Sequence, residues 1–307
     1  MIEQPLVSIV TPSFNQALFL QKTITSVLDQ DYPAVEYFVV DGGSQDGSLD
    51  VIQKNQKKLS WWISEPDLGQ ADAINKGIHR SKGQIFAWLN SDDYYLPGAI
   101  SKVVSFLKKN PKIAFVYGDV LAVDANDIRI NLLRYKPYNL SDLLRFNIIG
   151  QPSVFVNKEF IEKAGLLDLS YKYLLDHHFW IRLAMLGPIQ YLPVTLSVAR
   201  FHSFSKNIAQ ANEFGQEAFR IVDWMQGNPE LKNMFFEDKN KILAGAHRIN
   251  ARYLLDGGKA RESLIAYLQS LRCHPAAAMK EWHRILFAFF SMMGNGKMNW
   301  LRPHWRK

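Results

Sequence analysis

The chain is 307 residues long, 48% hydrophobic and 21% charged, with a formal net charge of +7. This composition excludes disordered and fibrous classes, and the length suits one large domain with an appendage. Cys273 is the sole cysteine, which excludes an intrachain disulfide and points to the cytosol. Met1 to Pro5 carry no basic or apolar leader, and the longest apolar candidate, Ile285 to Met293, is too short to cross a bilayer. The charge is uneven. From Lys241 onward twelve lysines and arginines face only Asp256, Glu262 and Glu281, a surplus of nine that leaves the rest of the chain at −2. A near-neutral body with a basic tail argues against a nucleic-acid binder and suits an anionic surface.

In chain order, Val7 to Val10 reads as a strand, and Leu18, Leu20, Ile24, Val27 and Leu28 recur at helical spacing. Strands follow at Tyr37 to Val40, Trp61 to Ser64 and Gln84 to Leu89, with a helix carrying Asp72, Asn75 and Lys76 before the last of these. The run Ile85 to Leu89 has no charge, as expected of a strand buried on both faces in a parallel sheet. Ile100, Val103, Val104 and Leu107 mark a helix opened near Pro97 and closed by Asn110-Pro111. Ile113 to Tyr117, Ile128 to Tyr135 and Gln190 to Phe201 read as later strands, with a helix from Asp176 to Leu186. After about Ser205 only helical patterns remain. The expectation is an α/β domain over residues 1–205, with a mostly parallel central sheet flanked by helices, and a basic helical extension over 206–307.

The strand ends carry the chemistry. Trp88-Leu89 runs directly into Asn90-Ser91-Asp92-Asp93, and adjacent carboxylates at the end of a buried strand repel each other unless a cation is shared. An oxygen-ligated divalent metal carrying substrate phosphates is the natural candidate, the bland alternative being a helix cap. Asp41 leads into Gly42-Gly43-Ser44-Gln45-Asp46-Gly47-Ser48, where glycines allow a ligand to approach the backbone and a carboxylate can accept from a nucleobase N–H or a ribose hydroxyl. Asp72, Asn75 and Lys76 share one helix face, either as part of a site or as a solvated Asp72–Lys76 pair. Neither a dinucleotide fingerprint nor a P-loop is present.

Thr11-Pro12-Ser13-Phe14-Asn15, Val39 to Ser48, Glu65 to Gly77 and Leu89 to Asp93, taken in order and spacing, resemble an inverting family 2 glycosyltransferase of the GT-A fold over roughly residues 5 to 205. The resemblance implies a nucleotide-diphosphate sugar donor, a glycan or lipid-linked acceptor hydroxyl, Mg²⁺ or Mn²⁺ as cofactor, and surface-polysaccharide assembly. It implies that Asp41 contacts the donor base, with Pro12, Ser13, Phe14 and Asn15 around the nucleoside and Asp72, Asn75, Asn90 and Ser91 completing the donor site. Asp92 and Asp93 become the metal motif, in which Asn90 replaces the usual first aspartate and removes a charge. Leu175 to Arg182 resembles the acceptor-side segment, so Asp176 matches the general base, although the same residue equally suits a helix N-cap. His178 stands where an acid is usual. His178, Trp180, Gln151 and Pro152 are assigned to the acceptor, with core packing the alternative for Trp180; His202 is assigned to the metal, with a structural role the alternative, and Lys206 to a donor phosphate.

Trp282 to Met293, followed by Lys297, Trp300, Arg302, Trp305, Arg306 and Lys307, combines apolar bulk with basic and Trp residues. That pattern suits a peripheral segment on the inner face of the cell membrane, and equally a helix docked on the protein. Two other functions fit parts of the pattern. A sugar nucleotidyltransferase shares the layout, but Thr11 to Asn15 lacks the Gly-rich, Lys/Arg-bearing loop it needs. A non-catalytic sugar-nucleotide or glycan-binding module would explain Asn90 and His178 in place of acids.

Overall fold

The computed structural model describes residues 4–202 and 213–292. It contains two compact units: the first takes the chain up to 123 together with 132–139 and 149–200, and the second takes 124–131, 140–148 and the chain from 201 onward. The sequence suggests a single boundary near 205. The structure adds two earlier segments to the helical unit, which no composition shift marks.

The first unit opens with β1 (Val7–Ser13), α1 (Ala17–Leu28), β2 (Val35–Asp41), α2 (Ser48–Asn55), β3 (Trp61–Ser64), α3 (Gln70–Arg80) and β4 (Ile85–Trp88). These strands lie in the order β3-β2-β1-β4, and all three of their pairings are parallel. All seven residues of β1 are buried, which is why its sequence shows no polar alternation. Helix α3 closes onto β1 at Gly77, where an added Cβ would stand 2.4 Å from Val10 Cγ2. A side chain there would push helix and sheet apart.

The chain continues through β5 (Tyr94–Tyr95), α4 (Ala99–Lys109), β6 (Phe115–Asp124), β7 (Arg129–Leu133), α5 (Leu140–Leu144), β8 (Val154–Asn157), α6 (Lys158–Ala164), α7 (Leu175–Leu186) and β9 (Ile189–Phe201). The sheet extends from β4 through β8, β6 and β9 to β5, with β7 on β6. Here the direction changes: β8 runs antiparallel to both β4 and β6, and β5 antiparallel to β9. The sheet is therefore parallel over its first four strands and antiparallel where these later pairs meet. Strand β8, central in the sheet, is missing from the sequence reading because four residues behind Gln151-Pro152-Ser153 carry no usable period.

Trp88 of β4 stacks on Trp180 of α7 with centroids 4.9 Å apart, and Phe115 lies 5.2 Å from Trp180. Both tryptophans are about 1% exposed. Such a pair adds about 1 kcal/mol beyond its buried area and fixes α7 against the strand that leads into Asn90-Ser91-Asp92-Asp93.

The second unit contains α8 (Glu213–Gly227), α9 (Lys232–Asp256), α10 (Ala260–Cys273), α11 (Pro275–Met279) and α12 (Trp282–Met292). Phe214 stacks on Tyr253 at 3.9 Å. Glu281, buried between α11 and α12, accepts from Arg248 at 3.0 Å, from Arg252, and from the Tyr267 hydroxyl at 2.8 Å. Arg284 pairs with Asp256 at 3.0 Å. The flanking arginines hold the Glu281 carboxyl far below the usual carboxylate range despite its burial. Among the described residues no helix is long and apolar enough to cross a membrane.

Candidate active site

Parallel register sets Ser13, Asp41 and Ser64 side by side at the carboxyl ends of β1, β2 and β3. Asp41 is fully buried. Its Oδ2 accepts from Gly43 N at 3.1 Å, Ser44 N at 2.9 Å and Ser64 Oγ at 2.7 Å, and its Oδ1 from Ser44 Oγ at 2.5 Å. Four neutral donors thus meet the carboxylate, three at Oδ2 and one at Oδ1. Asp41 organises the Gly42–Ser44 turn, which is a different use of the carboxylate from the expected base contact. The turn is laced to the loop after β1. Asn15, at φ 52°, donates its backbone N–H to Ser44 Oγ at 2.8 Å and accepts from Gln45 N at 2.9 Å. Asp46 accepts the first N–H of α1, from Ala17, at 2.9 Å, and bonds Ser48; burial opposes these bonds, but they hold its carboxyl below the ordinary value. Pro12 and Ser13 are buried, whereas Phe14 is 60% exposed beside this loop.

Asp67 is a residue the sequence reading missed. An added Cβ at Gly42 would stand 2.8 Å from Asp67 Oδ2, so the glycine exists to admit that carboxylate. Burial pushes the Asp67 carboxyl up, and the charges of Asp72 and Asp41 add to the effect. The signal was present as an acid between Pro66 and a glycine, opposite a Gly-Gly pair. Asp72 lies 3.4 Å from Lys76 Nζ, which also bonds Glu65 at 2.8 Å, so the ion-pair reading of Asp72–Lys76 is the one seen. Asn75 corrects the donor-site expectation. It is buried, donating Nδ2 to the Leu167 carbonyl at 2.9 Å and accepting from Leu167 N at 3.0 Å, so its amide braces the Leu167 loop.

Three elements clamp the loop after β4. Thr23 of α1 donates its hydroxyl to the carbonyls of Ser91 at 2.9 Å and Asp93 at 2.6 Å. Gln70 of α3 donates Nε2 to Asn90 Oδ1 at 2.6 Å. Arg200 of β9 donates its backbone N–H to Asp93 Oδ1 at 3.0 Å and Nε to the Asp92 carbonyl at 3.2 Å, with its guanidinium 4.8 Å from the Phe19 ring centre. Asp93 is buried and also accepts from Asn90 Nδ2 at 3.4 Å. Burial and the neighbouring Asp92 charge push its carboxyl well above the usual value. Asp93 thus braces the loop from within, through Arg200 and Asn90. Ser91 is buried, while Asp92 and Asn90 are partly exposed.

Among the described residues no three His, Cys, Asp or Glu side chains gather as a metal-holding group. Of the expected set, Asp92 is the partly exposed carboxylate, while Asp93 and His202 are buried. His202 is buried and falls in the second unit, and Lys206 lies outside the described residues. One accessible carboxylate on a clamped loop, with an amide oxygen beside it, fits a hard divalent cation that takes its other oxygens from substrate phosphates and water.

Asp176 is the second residue of α7. Leu174, at the cap position, makes no side-chain bond, so the N-cap reading fails. Asp176 Oδ1 accepts from His177 N at 2.7 Å and the residue is partly exposed. Trp180, one helical turn on, is the residue stacked on Trp88. Of its two expected roles, packing is the one seen, because a ring 1% exposed inside the aromatic core meets no acceptor. Gln151 is corrected likewise: it is buried with its Nε2 donated to the Trp88 carbonyl at 2.8 Å. Pro152 is buried, and His178 is buried with its ring stacked on Tyr171 at 4.3 Å.

Residues 8–156 match the model of Glycosyl transferase family 2. An uncharacterized glycosyltransferase of Rickettsia felis is 30% identical over 223 residues, covering 68% of this chain and 36% of that protein. A putative teichuronic acid biosynthesis glycosyltransferase, TuaG of Bacillus subtilis, is 31% identical over 160 residues, covering 51% of this chain and 64% of that one. The chain thus spans about a third of the Rickettsia felis relative's length. Among solved structures, a mannosyltransferase from Pyrobaculum calidifontis in complex with GDP-Man and Mn2+ superposes with a TM-score of 0.61 at 18% identity, covering 97% of this chain and 88% of that one. The strand-end loops built around Asp41 and Asp92 lie within the matched region: residues 8–156 are a glycosyl transferase family 2 domain, and the fold is of the GT-A type.

Proposed function

We propose that the chain is an inverting glycosyltransferase that moves a sugar from a nucleotide-diphosphate donor to a hydroxyl of a glycan or lipid-linked acceptor in surface-polysaccharide assembly. One observation carries the reading. Parallel strands bring the Asp41 turn and the Asp92 loop to one sheet edge, and the Trp88–Trp180 stack ties the helix bearing Asp176 to the same strand as Asp92. The loops around Phe14, Asn15 and Ser44 hold the nucleoside, with Asp41 as their organiser and Asp67 at their floor. Asp92 would hold Mg²⁺ or Mn²⁺, which when bound would supply charge stabilisation to a leaving diphosphate. Asp176 takes the proton from the acceptor hydroxyl as that oxygen attacks the anomeric carbon, and the nucleoside diphosphate leaves from the opposite face. The donor and metal in the Pyrobaculum calidifontis complex and the biosynthetic role in the Bacillus subtilis relative's name support donor class, cation and acceptor class in turn. The inner face of the cell membrane is the location this acceptor class calls for.

Calorimetry with UDP, GDP, TDP and CMP, each with Mn²⁺, tests the donor. Binding of one is expected, and binding of none overturns the reading. Asp176→Asn is expected to lower turnover by about a thousandfold while donor affinity stays within about threefold. Undiminished turnover removes Asp176 as the base.

A further inference from the structure

Helix α12 is built with two apolar faces and only one of them is covered. Arg284 and Ala288 are buried, and Ile285 packs on the cluster of Ala251, Ala266 and Tyr267. Facing away are Trp282, Leu286, Phe289 and Met292, each 40–53% exposed and spaced by four, three and three residues along one stripe. Helix α10, packed against α12, also exposes Ile265 and Leu268. A row of large apolar side chains left in water on a monomer marks an interaction surface.

Charge identifies the partner. Residues 257–307 hold nine lysines and arginines against Glu262 and Glu281, which is the whole of the +7; residues 1–256 are neutral. Glu281 is moreover buried against Arg248 and Arg252, so Glu262 is the one exposed acid among the described residues of this stretch. A second copy of the chain would bring like charge against like charge at this face.

We propose that α12 lies on an anionic phospholipid bilayer, with the Trp282–Leu286–Phe289–Met292 stripe in the headgroup boundary and the cations of residues 257–307 other than the buried Arg284 drawn to the lipid phosphates. The inference does not rest on the donor reading, and donor calorimetry gives the same result whether or not it holds.

Co-sedimentation of the full chain with phosphatidylglycerol–phosphatidylcholine vesicles, against pure phosphatidylcholine vesicles, tests it. Binding is expected on the anionic vesicles only, and it weakens as salt is raised. The double variant Leu286→Asp, Phe289→Asp alters two exposed positions and is expected to reduce binding about tenfold or more at an unchanged melting temperature. If that variant fails to fold, Lys297→Gln, Arg302→Gln, Arg306→Gln serves, with the same loss expected. Unchanged vesicle binding in the folded variant overturns the proposal, as does a stripe variant that splits a dimer in sedimentation velocity and leaves lipid binding intact.

Discussion

Asp41 in the first unit and Glu281 in the second are both buried acids with a full set of hydrogen bonds, but their partners differ in kind. Asp41 is held by two backbone N–H groups and two serine hydroxyls, and Asp46 by Ala17 and Ser48. Glu281 is held by Arg248, Arg252 and Tyr267, Asp256 by Arg284, and Asp238 by Arg145 and Lys241. Neutral donors orient a carboxylate and leave its charge uncancelled, whereas arginines cancel it. In the strand-end loops neutral donors hold Asp41 and Asp46, and Arg200 is the cation placed beside Asp93; in the helical unit acids of the same kind join helices through arginine and lysine. Lys76 between Glu65 and Asp72 is the one described cation of this kind in the α3 segment, at its flank.

Substitutions can break or sharpen this contrast. The largest effect is expected at Asp92→Ala, which removes the accessible charge of the clamped loop. Transfer should fall by about a hundredfold or more and donor affinity should lose its dependence on Mn²⁺, read by steady-state kinetics and calorimetry with and without the ion. An unchanged metal requirement would discredit Asp92 as the ligand.

In the helical unit, Glu281→Gln leaves two arginines without their carboxylate and should destabilise by about 3 kcal/mol, read as a lower melting temperature with donor binding intact. The native chain should show the matching pH dependence. The folded pKa of Glu281 is depressed below its unfolded value of about 4.3, so its contribution is complete above that pH and is lost as pH falls through the acid range toward the folded value. Melting scans between about pH 5 and about pH 3 should fall more steeply for the native chain than for Glu281→Gln.

The smallest effect is expected at Ser64→Ala, which takes one neutral donor from Asp41 at a cost of about 1 kcal/mol. Donor affinity should weaken a few-fold with turnover at saturation preserved. A loss as large as that of Asp92→Ala would mean that the serine itself meets substrate.

Much of the first unit was legible because buried parallel strands write themselves as apolar runs and their ends carry acids. Val7–Ser13, Val35–Asp41 and Ile85–Trp88 were found for that reason. Val154–Asn157 was not, since four residues give no period and their identity as a strand depends on partners far along the chain. Side-chain destination was the other blind spot. Nothing in the spelling of Asp176-His177-His178-Phe179-Trp180 says that Trp180 turns inward onto Trp88, or that Asn75 finds Leu167 across the fold. Asp67 and Gln70 stood in a motif already noticed, yet their roles came only from their neighbours, Gly42 and Asn90. The stretches 124–131 and 140–148 join the helical unit through contacts no local pattern encodes.

The seating of α7 on β4 by two indole rings has a practical corollary. Aromatic stacking in a dry interior is indifferent to ionic strength, so the separation of Asp176 from the Asn90–Asp93 loop is set by a spacer that electrolytes do not loosen. Any decline of turnover in concentrated salt must then originate in ligand or lipid contacts, and titrating turnover with salt becomes a way to weigh those contacts while the reacting geometry stays constant.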